Sequence, residues 1–148
     1  MDNTSMESLK NTYTIGLEEL NILITDYYEK IGRIVKPRFN YSVNYKTNEV
    51  FFQCYITEAI KDTRTGSISS YDYRLSFDEI RKIIKQIIAD EGLTLIDFVS
   101  DACSEKVRDK NNPRSSKHVI VNRTFTITEQ GKRKKSVKSK IFNSKKNN

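Results

Sequence analysis

Tryptophan is absent from the chain, histidine occurs once, and cysteine and proline occur twice each among 148 residues. Each scarcity removes a class of chemistry. One histidine and two cysteines without a CxxC spacing cannot complete a four-ligand zinc site of the usual kind. A single disulfide between Cys54 and Cys103 is conceivable, and two reduced, buried thiols is the expected state. The five glycines (16, 32, 66, 92 and 131) are too scattered to form a phosphate-cradling loop. No apolar run approaches the ~20 residues needed to span a bilayer. Met1 to Ser5 lacks both the basic and the apolar regions of a secretory signal. The expected location is therefore the cytoplasm, or the host-cell interior if the chain is phage-encoded, with no membrane partner.

Nor is there a catalytic constellation. His118 stands alone at the start of a candidate strand beside a basic loop and reads as a surface residue, not a general base. The acid pairs Glu18–Glu19, Asp78–Glu79 and Asp90–Glu91 fall near predicted helix ends, where capping and dipole effects account for them. No cofactor, metal or enzymatic activity is predicted.

Positive charge is present in excess and unevenly placed. From Gly131 onward come Lys132, Arg133, Lys134, Lys135, Lys138, Lys140, Lys145 and Lys146, with no acid among them. The residues before Gly131 hold 18 basic against 19 acidic side chains, so the tail carries the surplus behind the net +7. Residues 131–148 have few apolar anchors and are expected to stay disordered without a partner.

The remaining chain reads as a single α+β domain over residues 14–130, preceded by a flexible terminus at 1–13. Apolar residues at 17, 20, 24, 27, 28, 31, 34 and 35 follow helical spacing, predicting a helix from Ile15 to Val35 that Pro37 stops. Strict alternation then begins. Phe39, Tyr41, Val43 and Tyr45 share one face of a strand, and Val50, Phe52, Cys54 and Ile56 share the core face of the next, over Val50–Ile60. Ser67–Phe77 completes a meander, with a bulge expected near Ser69 or Ser70 because Ile68 and Tyr71 differ in parity. Ser76-x-x-Glu79 is a capping box for a helix with an isoleucine stripe at 80, 83, 84, 87 and 88, and Gly92 suits the left-handed residue that ends it. Thr94-x-x-Asp97 suggests the cap of a second helix, burying Leu95, Phe98, Val99, Ala102, Cys103 and Val107. His118–Thr128 reads as a fourth strand at a sheet edge. The expected fold is thus an N-terminal helix, a three- or four-stranded antiparallel meander, two successive helices packed on it and a disordered basic tail. No internal repeat is expected.

The strand Tyr71-Asp72-Tyr73-Arg74-Leu75, the capped helix after it and Gly92-Leu93-Thr94-x-x-Asp97-Phe98-Val99 together resemble the ribbon-helix-helix family of Arc- and MetJ-like DNA-binding proteins, over residues 71–110. The resemblance implies a homodimer whose paired strands enter the major groove. Asp72, Arg74 and Ser76 would face outward, with Tyr71, Tyr73, Leu75 and Phe77 in the dimer core. Arg74 would make the bidentate contact to guanine, and Thr94 would hold a phosphate at a helix start. Independently, the cations Lys132, Arg133, Lys134, Lys135, Lys138 and Lys140 of the tail suit phosphates, giving affinity without sequence choice. The aromatics Tyr41, Tyr45, Phe51, Tyr55, Tyr71 and Tyr73 offer another route, since exposed rings beside cations suit single strands. The expectation is a small nucleic-acid-binding protein, taking DNA in preference to RNA, a regulator or accessory factor of a phage or mobile element. The alternative is an interaction module or inhibitor that docks on an acidic protein surface.

Overall fold

The computed structural model describes residues 9–112 and 114–131. They form β1 (Lys10–Ile15), α1 (Leu17–Lys30), β2 (Ile34–Val43), β3 (Val50–Lys61), β4 (Ile68–Leu75), α2 (Phe77–Asp90), β5 (Thr94–Ser100), β6 (Cys103–Arg108), β7 (Ser116–Val121) and β8 (Phe125–Gln130). The strands pair antiparallel into three sheets with orders β1-β8-β5, β2-β3-β4 and β6-β7. The α+β class and the β2-β3-β4 meander follow the pattern of the sequence. The expected tail lies outside the described residues, apart from Gly131, whose N–H donates to the Leu9 carbonyl at 3.0 Å.

Both helices are stopped in the same way. The N–H of Arg33 reaches back to the Tyr28 carbonyl and that of Leu93 to the Ile88 carbonyl, over glycines in the left-handed region (Gly32 φ 81°, Gly92 φ 82°). Gly32 thus ends α1 before Ile34, and Pro37 lies within β2 instead of capping a helix. Because β2 is an edge strand, its proline leaves no central ladder donor missing. At the other end of α2 the capping box forms: the Glu79 N–H donates to Ser76 Oγ at 3.1 Å, and the Ser76 N–H donates to the Glu79 carboxylate at 3.3 Å. In α1 only the Glu19 half exists, from the Gly16 N–H at 3.1 Å, because glycine has no side chain. Ser76→Ala should therefore lower stability by about 1 kcal/mol in urea unfolding. A midpoint equal to wild type would show that the cap adds nothing.

Several expectations are corrected. Lys10–Tyr13 is not frayed but paired with β8. No bulge interrupts β4, whose register runs unbroken from Lys61↔Ile68 to Cys54↔Leu75; Ile68 faces solvent at 72% exposure. The segment expected as a second helix is not helical: Thr94–Ser100 and Cys103–Arg108 are strands. The strand expected at His118–Thr128 is two, broken at residues 122–124, and β8 is the central strand of its sheet. Of the two free thiols, Cys54 is buried but Cys103 is exposed. Burial pushes the Cys54 thiol up to about 12, which leaves it unreactive.

The chain also contains a duplication. Tyr13-x-Ile15-Gly16-Leu17-Glu18-Glu19-Leu20 matches Tyr73-x-Leu75-Ser76-Phe77-Asp78-Glu79-Ile80 at a spacing of 60, and the helices and terminal glycines follow in step. Ile56-Thr57-Glu58 on β3 recurs as Ile127-Thr128-Glu129 on β8. One half is β1-α1-β2-β3 and the other β4-α2-β5-β8, with the β6–β7 hairpin inserted in the second. Each helix crosses between sheets. Each sheet is consequently the hairpin of one half plus the first strand of the other, β4 beside β3 and β1 beside β8. Both inner faces and both helices feed a single core that includes Leu20, Ile24, Ile56, Ile84, Ile88, Phe98, Phe125 and Ile127.

Candidate nucleic-acid interface

Alternation along β2, β3 and β4 divides their side chains between the core and an outer face away from the helices. Inward go Val35, Cys54, Ile56 and Leu75, all buried. Outward go Lys36, Arg38, Asn40 and Ser42 from β2, Phe51, Gln53, Tyr55 and Thr57 from β3, and Asp72 and Arg74 from β4. The register assembles these into rows: Arg38–Tyr55–Arg74, Lys36–Thr57–Asp72 and Ser42–Phe51. Residues opposite each other in antiparallel strands lie within about 5.5 Å at Cα, so each row is one contiguous contact surface.

At its centre Tyr55 lies between two arginines. The Arg74 guanidinium carbon is 5.8 Å from the ring centroid, within cation–π range. The Tyr55 hydroxyl donates to Gln53 Oε1 at 3.3 Å, and Asn40 Nδ2 donates to the same oxygen at 3.4 Å. These bonds occupy the Gln53 carbonyl and leave its NH₂ outside them. Phe51 is 44% exposed further along the strand. The ion pairs Arg33–Glu58 and Arg81–Asp78 do not involve Lys36, Arg38 or Arg74, and among the described residues these three cations have no carboxylate in ion-pair contact. The acid on this face, Asp72, accepts from Thr57 Oγ at 2.6 Å.

The duplication supplies an internal comparison. At the positions of Arg38, Tyr55 and Arg74, the β1-β8-β5 sheet has Val99, Thr126 and Thr14. Its next row is Thr12–Thr128–Asp97, with the two threonine hydroxyls 3.3 Å apart. One fold therefore presents the same surface twice, once basic and aromatic and once with aliphatic, hydroxyl and acidic side chains in place of the cations and the ring. Packing does not require the difference, since both faces point away from the core.

The residues named from the sequence separate in space. Arg74 faces outward as expected, although its strand is paired along β3 within the same chain. Ser76 is committed to the α2 cap. Thr94 begins a strand, opposite Gln130, and has no helix start behind it to hold a phosphate. Lys132, Arg133, Lys134, Lys135, Lys138 and Lys140 lie outside the described residues. Of the aromatics, Phe51 and Tyr55 face outward, whereas Tyr71 and Tyr73 turn inward toward Glu58. Arg38 and Lys36 complete the face and were found by register, not by motif; the parity opposite Phe39 was their only signal.

The buried side of this sheet carries the polar anchor that positions it. Glu58 receives two bonds from Arg33, Nε at 2.8 Å and Nη2 at 2.6 Å, and one from the Tyr73 hydroxyl at 2.8 Å. The Arg33 guanidinium in turn lies 4.9 Å from the Tyr28 ring centroid. Hydrogen bonds from Arg33 hold the Glu58 carboxyl down at about 2, while burial and the Glu58 hydrogen bond push the Tyr73 phenol up. Glu129 repeats the arrangement on β8, with the Tyr13 hydroxyl at 3.0 Å and Asn11 Nδ2 at 3.3 Å. Tyr73 and Arg74 are consecutive, so the bond that fixes the inward side of edge strand β4 also fixes the outward arginine. No protein-family model, curated protein or solved structure matches this chain.

Proposed function

We propose that the chain is a nucleic-acid-binding protein that takes a single strand across the outer face of β2-β3-β4. The Arg38–Tyr55–Arg74 row carries this reading: a ring for a base to stack on, flanked on both sides by cations for the adjoining phosphates. Its neutral counterpart on the other sheet makes the charge and the aromatic a departure from what the fold requires. The cations from Lys132 to Lys146 add phosphate contacts that raise affinity and encounter rate without sequence preference. Single strands fit better than duplex, because β4 belongs to a three-stranded sheet and not to the two-stranded ribbon that enters a major groove.

Fluorescence anisotropy with thymidine and uridine oligomers and a duplex, across a salt series, tests the proposal. Tyr55→Ala should weaken single-strand binding by about 1–3 kcal/mol, roughly 5- to 150-fold in Kd. Arg74→Ala should flatten the log–log salt slope by about 0.7, and Thr126→Ala should change neither. Equal affinities for Tyr55→Ala and wild type would exclude the face, and no binding of any oligomer at ~50 mM salt would exclude the function.

A further inference from the structure

The duplicated halves differ most at one place, where the second half inserts the β6–β7 arm and the first makes only the short turn Asn44–Glu49. The arm is tied down at several points. At its root, the Thr124 and Thr126 hydroxyls donate to Asp101 Oδ2 at 3.0 and 2.8 Å. Along its length, Ser104 Oγ donates to the Asn48 carbonyl at 3.0 Å, and the His118 ring meets Tyr45 at 4.9 Å between centroids. These contacts hold the arm against the β2–β3 turn, at the Ser42–Phe51 end of the proposed binding face. Phe51 is four residues from Tyr55, about 13 Å along β3.

Alternation in the arm puts Ser104, Lys106 and Arg108 on one face, opposite Ile120, His118 and Ser116, while Glu105 takes the other face. On the first face lies an open concavity of about 400 Å³, lined by Lys106, Arg108, Arg114, Ser115 and Ser116. Three cations and the Ser116 hydroxyl have no base-stacking surface among them, while Ser115 Oγ is already engaged in the tip with the Asn112 carbonyl at 3.3 Å. Their donors match phosphate oxygens, and arginine forks bind those oxygens in pairs. Among the described residues, none of the three cations is in an ion pair. Asp109 in the tip belongs to the turn, its Oδ1 accepting from the Asn111 N–H at 2.9 Å and its Oδ2 from Ser115 Oγ at 3.5 Å.

We infer that the β6–β7 arm is a phosphate-binding cradle, in which Lys106, Arg108 and Arg114 take a backbone phosphodiester of a strand continuing past Phe51. The inference rests on the single-strand reading and extends it by naming a second contact with a separate role. The sheet row stacks a base, and the arm holds only phosphate.

The test uses the full chain, a thymidine oligomer long enough to cross both contacts, and the double variant Arg108→Gln/Arg114→Gln. Losing two phosphate contacts on a single strand should flatten the salt slope by about 1.4 while affinity extrapolated to 1 M salt changes little. Tyr55→Ala should do the reverse. Lys85→Gln, on the solvent side of α2, should leave both unchanged. If Tyr55→Ala weakens binding but the double variant keeps the wild-type slope, the cradle is wrong and the sheet reading survives. If no oligomer binds, inorganic phosphate titrated against the arginine Nε–H NMR signals decides. Shifts confined to Arg108 and Arg114 would keep the phosphate cradle, assign it to a small phosphate compound and reject the nucleic acid; no shift would overturn the cradle as well.

Discussion

Replacing Phe125 with alanine should lower unfolding stability by about 4 kcal/mol, a large share of the ~5–15 kcal/mol typical of a domain. Phe125 is fully buried on the central strand β8 and joins three elements from both halves. Its ring is 5.5 Å from Phe98 of β5 and nearly parallel to it, 5.1 Å from Phe52 of β3 edge-on, and 6.3 Å from Phe77 at the start of α2. The truncation leaves a cavity whose walls belong to two different sheets, so neither can relax into it without moving the other. The matching residue on β3 is Cys54, also buried, and Cys54→Ala removes a single sulfur atom from the same core. That loss should be about 1 kcal/mol. Urea unfolding with an unchanged slope would report both values. A loss below 1 kcal/mol for Phe125→Ala would mean that the aromatic cluster does not join the halves.

The same cluster shows why part of the fold was hidden in the sequence. Helix α2 was legible because its signals agree: a serine cap, five isoleucines at helical spacing and a glycine stop. Strand β5 was not, because a bulge between Leu95 and Asp97 inserts Ile96 and shifts the inward parity. Leu95 and Phe98 then both point to the core at a separation of three, which mimics a helix, and Thr94-x-x-Asp97 adds a false cap. Similar ambiguity extended α1, since Ile31, Ile34 and Val35 continue the helical stripe beyond the true stop at Gly32. The duplication is masked in the sequence for a related reason. Its spacing is 60 before the bulge, 61 after it and 71 beyond the inserted arm, so no single period runs through the chain. For the candidate site, parity sufficed to turn Tyr55, Arg74 and Arg38 outward. That they form one row depends on turn lengths and cross-strand register, which local patterns do not encode. The arm's cations are spread over a segment read partly as helix, a period that hides the common strand face of Lys106 and Arg108.

Glu58 should show the second large effect, and with it a pH signature. Glu58→Ala removes a carboxylate that is only 5% exposed and strands Arg33 and Tyr73, at a cost of about 3 kcal/mol. Glu58→Gln keeps an acceptor for Tyr73 but loses the charge that Arg33 grips, so its loss at pH 7 should be about 2 kcal/mol, discounted because the Arg33 side chain is 42% exposed to solvent. The sign of the pH dependence follows from the lowered carboxyl pKa. In the unfolded chain the group titrates near its ordinary value of 4.5, and in the folded protein at about 2. Its stabilisation is therefore complete above the unfolded value and disappears as pH falls toward the folded one. The gap between wild type and Glu58→Gln should be constant from pH 7 to about 5.5, shrink by more than half by about pH 3, and close below about pH 2. Other carboxylates titrate equally in both proteins and cancel in the difference. A gap that stays constant down to pH 3 would show that the Arg33–Glu58 pair contributes no net charge stabilisation. Because Glu58 bonds Tyr73 on edge strand β4, Glu58→Ala should also free β4 before the rest of the sheet, seen as faster amide exchange at Tyr73 and Arg74 than at Ile56. Uniform acceleration across β2, β3 and β4 would instead make the glutamate a general core element, with no particular hold on the strand that presents Arg74.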